Sequence, residues 1–222
     1  MADPPPAAAP RKETWREALI NPRMLICVFT GFTSGLPLYL LINLDPAWLK
    51  SEVADLKQIG LFALIGLPYT WKFVWSPLVD RYALPWLGRR RGWMFLMHVT
   101  LIASIAALGV LQPATEIWTI AYLAAGVALF SATLDIAIDA YRRELLPEVE
   151  LGLGNSIHVN AYRISSLVPG SLSLILADRM PWPSVFFVTA LFMLPGLAMT
   201  LMVREPAATA AAPKTLRDAV VL

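Results

Sequence analysis

An all-α membrane protein of six transmembrane helices is the fold this sequence predicts, and three observations carry the prediction. Hydrophobic residues make up 57% of the chain and charged ones only 15%. The mean hydropathy is +0.60. A water-soluble domain of that composition would expose apolar surface and aggregate. Six apolar stretches, at 24–44, 57–77, 93–113, 117–138, 153–177 and 183–203, each approach the roughly 20 residues that cross a hydrocarbon core about 30 Å thick. The Lys and Arg residues concentrate between these stretches, chiefly in alternate gaps.

The first, third and sixth stretches contain no Asp, Glu, Lys or Arg and show no amphipathic period, as expected where lipid replaces water as solvent. The second carries Lys72, the fourth Asp135 near its end, and the fifth Arg163. The first lacks a small-residue cleavage site after it and reads as a retained helix, not a signal peptide. Residues 2–10 are only Ala, Asp and Pro, so residues 1–21 are expected to form a disordered arm. The helical domain spans 22–205. Glu205 to Pro213 returns to Ala/Pro character, and 206–222 reads as a linker whose last residues suggest a helix on the membrane surface.

With the N-terminus inside, the cytoplasmic segments hold thirteen Lys and Arg residues, among them Arg23, Arg81, Arg89, Arg90, Arg91, Arg142, Arg143 and Arg204. The opposite side holds three: Lys50, Lys57 and Arg179. That bias orients both termini toward the cytoplasm. Trp48, Trp75, Trp93, Trp118 and Trp182 lie near stretch ends, where interfacial belts form. A net charge of +2 without a basic face gives no footprint for nucleic acid. Cys27 stands alone, so neither an intramolecular disulfide nor a multi-cysteine metal site is available, and it reads as an apolar packer. His98 and His158 are isolated from any Ser/Asp or Glu partner at catalytic spacing, so an enzyme is not expected, nor a cofactor or metal.

Chemistry is expected from the ionisable residues inside the stretches, each costing about 2.5–3.5 kcal/mol at mid-bilayer and so facing protein or water. Asp135 and Asp139 are four apart and stack on one helix face. Two carboxylates so close repel, which suits a proton-coupling device. The alternative places Asp139 at the interface with Arg142 and Arg143, in a solvated charge cluster. Arg163 lies about 16 Å into the fifth helix at 1.5 Å per residue, near mid-membrane. It has two readings: a cavity residue whose planar fork meets a carboxylate or phosphate, or a structural partner of an aspartate on helix 4. Lys72, at a depth similar to Asp135, is a second partner for it and a substrate-binding candidate. Asn155, His158 and Asn160 make the fifth helix the most polar; His158 and Asn160 join the substrate-binding candidates. Gly-Leu-Pro at 35–37 and 66–68, Pro169-Gly170 and Pro195-Gly196 mark breaks of the kind that bend helices around a cavity.

The densest charge is the segment Ser76-Pro77-Leu78-Val79-Asp80-Arg81-Tyr82 followed by Gly88-Arg89-Arg90-Arg91-Gly92-Trp93. It resembles the loop between helices 2 and 3 of major facilitator superfamily transporters, which latches helix ends at the cytoplasmic face. That resemblance assigns Asp80, Arg81, Gly88, Arg89, Arg90 and Arg91 to a gating loop. Ser76 stands where a glycine is usual, and Ala83 to Leu87 are extra. AmpG-type muropeptide permeases share both departures, and Phe32-Thr33-Ser34-Gly35-Leu36-Pro37, the run Lys72 to Tyr82, and Asp135-Ile136-Ala137-Ile138-Asp139-Ala140 are similar to that branch. The resemblance implies a proton-coupled importer of anhydromuropeptides, acidic sugar-peptides, across a bacterial inner membrane. Relatives of that kind move siderophores or CoA esters instead. It also implies that 22–205 is the N-terminal half of the fold and 206–222 a linker toward a second helical half. A lone half would bind ligand without transporting it.

Overall fold

A computed structural model describes residues 21–52, 66–84 and 87–205. The expected arm apart from Asn21, the whole of the C-terminal linker 206–222 and the first part of the second stretch, with Lys57, lie outside those residues. Everything described is helix or connecting turn apart from one isolated bridge, Leu84 to Gly88. Four helical spans are long and apolar enough to cross a membrane: Pro22–Glu52, Arg89–Leu108, Pro113–Leu145 and Trp182–Met202.

The first span starts as α1 (Pro22–Tyr39), where Asn21 caps the helix by accepting from the Arg23 N–H at 3.0 Å. Pro37 sits inside it, and a π turn at Leu40–Leu44 follows before α2 (Asp45–Glu52). A proline withholds one backbone N–H, and a widened turn is a usual way to absorb that defect. The second stretch continues as α3 (Leu67–Trp71), a tight turn at Lys72–Val74, and α4 (Ser76–Arg81). Next come α5 (Arg89–Leu108), α6 (Pro113–Leu145) and α7 (Glu148–Ile164). The fifth stretch breaks at a second π turn, Val168–Leu172 around Pro169, and ends as α8 (Ser173–Ala177). The sixth is α9 (Trp182–Leu191) and α10 (Leu194–Met202).

Helix limits differ from the apolar limits at several ends. The fourth helix, expected at 117–138, runs over Pro113–Leu145 with a kink at Glu116, and its last turns carry Arg142, Arg143 and Glu144. Asp80 and Arg81 close α4, and Arg89 to Arg91 open α5, so these charges sit on two helix ends. The charges at these helix ends find partners on neighbouring ends. The third stretch ends earlier than expected, at Leu108, where Gly109 makes the cap.

The core is built by α1 lying along α7 and α5 lying along both α6 and the sixth span. Leu36, Met94, Leu101, Ile105, Val127, Leu134 and Phe186 fill it. Cys27 is buried against Met24 and Leu146 as an apolar packer. The exposed large side chains are apolar as well, including Leu25, Phe29, Val99, Trp118, Phe187 and Leu201, the inverse of a water-solvated surface. One of the expected belt tryptophans belongs elsewhere. Trp48 is buried, and its ring meets Trp182 at 6.4 Å and Phe186 at 4.8 Å, an interior aromatic cluster that welds the first span to the sixth.

Close approach of α1 and α7 requires glycine. A Cβ on Gly35 would stand 2.5 Å from both the Tyr162 carbonyl oxygen and Ser165 Oγ. Gly35→Val is expected to lower stability in detergent by about 1–3 kcal/mol through overpacking, read as a fall in Tm. At Gly152 nothing lies within 4 Å of an added Cβ, so Gly152→Ala should leave Tm unchanged or raise it.

Candidate functional site

A cavity of about 800 Å³ opens between α1, the Lys72 turn, α6 and α7. It continues into a hollow of about 420 Å³ that shares Lys72, Asp139 and Arg143 and reaches Asp80, Arg90 and Glu144. The opening is therefore at the arginine-rich end of the bundle. The positive side chains expected on one side of the membrane do gather there: Arg23 pairs with Glu150 on α7 at 3.3 Å, and Arg81, Arg89–Arg91, Arg142, Arg143 and Arg204 lie on neighbouring helix ends.

A polar string crosses the cavity. Ser34 Oγ on α1 donates to Asp135 Oδ1. Lys72 Nζ stands 3.9 Å from Asp135 Oδ2 and 3.9 Å from Asp139 Oδ2. That separation is Coulombic attraction without a hydrogen bond. Arg142 Nη2 donates to Asp139 Oδ1 at 2.7 Å, and its Nη1 to Asn155 Oδ1 at 3.2 Å. Helical spacing explains the set: Asp135, Asp139 and Arg142 fall three or four apart on α6, and Asn155, His158 and Tyr162 on α7. Asp135 is buried, with its side chain 10% exposed, whereas Lys72 and Asp139 are 37% and 45% exposed. Asp139 joins Arg142 and also lines the cavity.

Arg163 lines the cavity with an exposed side chain and makes no ion pair among the described residues. The aspartate partners considered for it are taken by Lys72. Arg143 lines the cavity likewise without an ion pair among those residues. His158 is buried, its Nδ1 3.3 Å from Thr30 Oγ1. Asn160 is not brought to the cavity; it is exposed and its amide donates to Ser156 O on its own helix at 2.8 Å. Among the described residues, no three His, Cys, Asp or Glu side chains converge as a metal site would need.

The charged segment forms a lock below the cavity. Arg90 pairs with Asp80 and, at 2.9 Å, with Glu144 on α6, to which Arg89 also bonds at 2.9 Å. Glu205 accepts from the backbone N–H groups of Arg90 at 2.8 Å and Arg91 at 3.1 Å, capping α5. The Arg91 guanidinium donates to the terminal carbonyls of α10, Thr200 O at 3.1 Å and Leu201 O at 2.9 Å. Gly88 takes a positive φ of 90°, which favours glycine, and a Cβ there would stand 2.8 Å from the Glu205 carboxylate and push it from its cap. Arg81 stacks on Tyr82 with its guanidinium carbon 5.6 Å from the ring centre.

Glu205, read from sequence as the start of an unfolded tail, is thus a structural anchor; the Ala/Pro run after it hid the role. Ser34 and Glu144 were also missed. Glu144 sits beside Arg142 and Arg143 in the last turn of α6, a position whose signal is the charge run itself. Asp45, just past the limit set for the first stretch, is buried with neither carboxyl oxygen hydrogen-bonded.

The sequence model of the major facilitator superfamily matches residues 27–220. The chain is 51% identical over 185 residues to an uncharacterized protein of Haemophilus influenzae, covering 83% of this chain and 44% of that one. It is 44% identical over 202 residues to the anhydromuropeptide permease of Escherichia coli K12, covering 90% and 41%. Over 188 residues it is 28% identical to a Rickettsia felis protein described as putative transporter AmpG 4, covering 82% and 45%. The chain thus spans less than half the length of these relatives.

Removing the cap tests the lock. Glu205→Ala is expected to cost about 1 kcal/mol, the usual value of an N-terminal cap. Arg90→Ala should cost more, because it strands Asp80 and reduces Glu144 to one partner. Thermal unfolding in detergent measures both.

Proposed function

The chain belongs to the major facilitator superfamily, and on that premise we propose that it builds the N-terminal half of a secondary active transporter that imports anhydromuropeptides in symport with protons. The observation that carries the reading is the 44% identity to an anhydromuropeptide permease over 90% of this chain, joined to a cavity in which Arg143 and Arg163 are without carboxylate partners among the described residues. An acidic sugar-peptide supplies those partners, and a guanidinium fork holds a carboxylate through two parallel hydrogen bonds. The membrane is the bacterial inner membrane. The arginine-rich end, with both termini, faces the cytoplasm by the positive-inside rule.

Coupling follows from Asp135. A buried carboxylate in a membrane span needs a partner. It has Ser34 and, at a distance too long for a hydrogen bond, a half-exposed Lys72. Lys72 is shared with Asp139, so it can lean toward Asp139 while Asp135 exchanges it for a proton. One carrier is loaded and unloaded without stranding a charge. The partner half closes the remaining wall, and alternating access rocks one half against the other around the site. The Asp80–Arg90–Glu144 lock holds the cytoplasmic ends of α4, α5 and α6 together in one phase of that cycle.

Uptake of labelled anhydromuropeptide into bacteria lacking their own permease tests the reading, comparing this chain alone, the chain with a downstream helical half, and empty vector. Uptake only with the second half is expected. Failure of both arms would move the cargo to another acidic solute. Asp135→Asn is expected to abolish uptake driven by a pH gradient while leaving membrane insertion intact; normal uptake would remove Asp135 from coupling. Arg163→Lys should weaken substrate binding about tenfold or more, the value of a lost charge-assisted hydrogen bond. Unchanged affinity would give Arg163 another role.

A further inference from the structure

Two tyrosines stand deep in the cavity, away from its opening. At the arginine-rich end, Arg23 near the start of α1 pairs with Glu150 near the start of α7. Tyr39 ends α1, about 24 Å along it from Arg23 at 1.5 Å per residue. On α7, Tyr162 lies about 10 Å beyond Asn155 by the same rise. Both tyrosines line the cavity, and their rings meet edge to face, with centroids 5.7 Å apart and planes at 64°. Glycine builds their seat. Gly35 and Tyr39 are four apart on one face of α1, and a Cβ on Gly35 would stand 3.0 Å from Tyr162 Cγ. The Tyr162 ring therefore rests on bare backbone with Tyr39 beside it. A pair that served only to join helices would be buried, as Trp48 and Phe186 are in the other aromatic cluster. Tyr39 and Tyr162 are instead partly exposed. Apart from His158, they supply the aromatic rings of a wall whose other described residues are charged, polar or aliphatic.

We propose that the corner formed by Tyr39 and Tyr162 is the sugar subsite of this cavity, stacking against a sugar ring of the cargo and setting specificity for its carbohydrate end. The inference rests on the reading of the cargo as an anhydromuropeptide. A sugar ring carries C–H groups on its faces and oxygens round its rim. An aromatic ring offers those faces an apolar, electron-rich surface, and a tyrosine adds a hydroxyl at its edge for the rim. Ligand sites of this kind combine aromatic walls with a few placed polar groups. Stacking here puts the sugar at the deep end and leaves the peptide to extend toward Arg143 and the opening. The tyrosines then read the sugar, and the arginines read the carboxylates.

The test uses the full-length transporter in detergent and reads displacement of labelled anhydromuropeptide by two unlabelled competitors: the anhydromuropeptide itself, and its peptide freed of sugar. Tyr39→Leu and Tyr162→Leu are expected to weaken binding of the intact ligand about tenfold and to leave the sugar-free peptide at its parent affinity. Loss of the tyrosine and loss of the sugar then fail to add, as expected of groups in contact. Tyr39→Phe and Tyr162→Phe, which keep the ring, should stay within about threefold of the parent, the scale of one hydrogen bond. Parent affinity for the intact ligand in both leucine variants would overturn the subsite and leave the reading of the cargo standing. Equal weakening of both competitors would make the tyrosines structural and also overturn it, as would a phenylalanine variant as weak as its leucine counterpart. Failure of the parent protein to bind anhydromuropeptide would overturn the reading of the cargo and the subsite with it. Should Tyr162→Leu fail to fold against Gly35, the Tyr39 variants decide.

Discussion

Lipid offers no hydrogen bonds, so each polar group within these spans must find its partner in protein or in a water-filled cavity. Asp135 is where that constraint bears hardest. Its carboxylate sits on α6 with a serine from α1 on one oxygen and a lysine from the second span near the other. Three helices are thereby tied to one point, and the cavity forms around it. The helix faces follow: Asp139 and Arg142 one and two turns on, with Asn155, His158 and Tyr162 on the opposing α7. Loose partners suit transport better than tight ones, because a buried pair that never parts cannot exchange a proton or a substrate.

Rigidity is concentrated elsewhere. Glycines let α1 and α7 approach to backbone contact, the Trp48–Trp182–Phe186 cluster joins the first and sixth spans, and the lock of Asp80, Arg89, Arg90, Glu144 and Glu205 fixes the arginine-rich ends. Two π turns near prolines, Leu40–Leu44 and Val168–Leu172, pack against each other. They bend the first and fifth spans together, so the wall they form stays matched through the break. The half-domain therefore combines a stiff frame with a weakly held charge string facing the cavity.

Much of this was legible in the sequence because lipid imposes a simple rule: long apolar stretches are helices, and a charge inside one is exceptional. That rule located Lys72, Asp135, Asp139 and Arg163 and predicted that they line a cavity or pair. It did not say which pair forms. Arg163 and Lys72 were both open as partners, and in the structure it is Lys72 that stands beside the two aspartates. Asn160 was misplaced for a related reason, since a polar residue on a helix has a side as well as a depth. Glu205 and Glu144 were hidden because their roles depend on which helix ends meet, and composition carries no trace of that. The tryptophan belt failed at Trp48 because a residue near a stretch end faces either lipid or a neighbouring helix, and both faces are apolar.

The central claim is that Asp135 exchanges a lysine for a proton as substrate moves. Infrared difference spectroscopy of the full-length protein in lipid, recorded on adding anhydromuropeptide, reads that exchange directly. The account predicts a change in the protonated-carboxyl band that disappears in Asp135→Asn. A difference spectrum with no carboxyl change, or one that persists in Asp135→Asn, would contradict it.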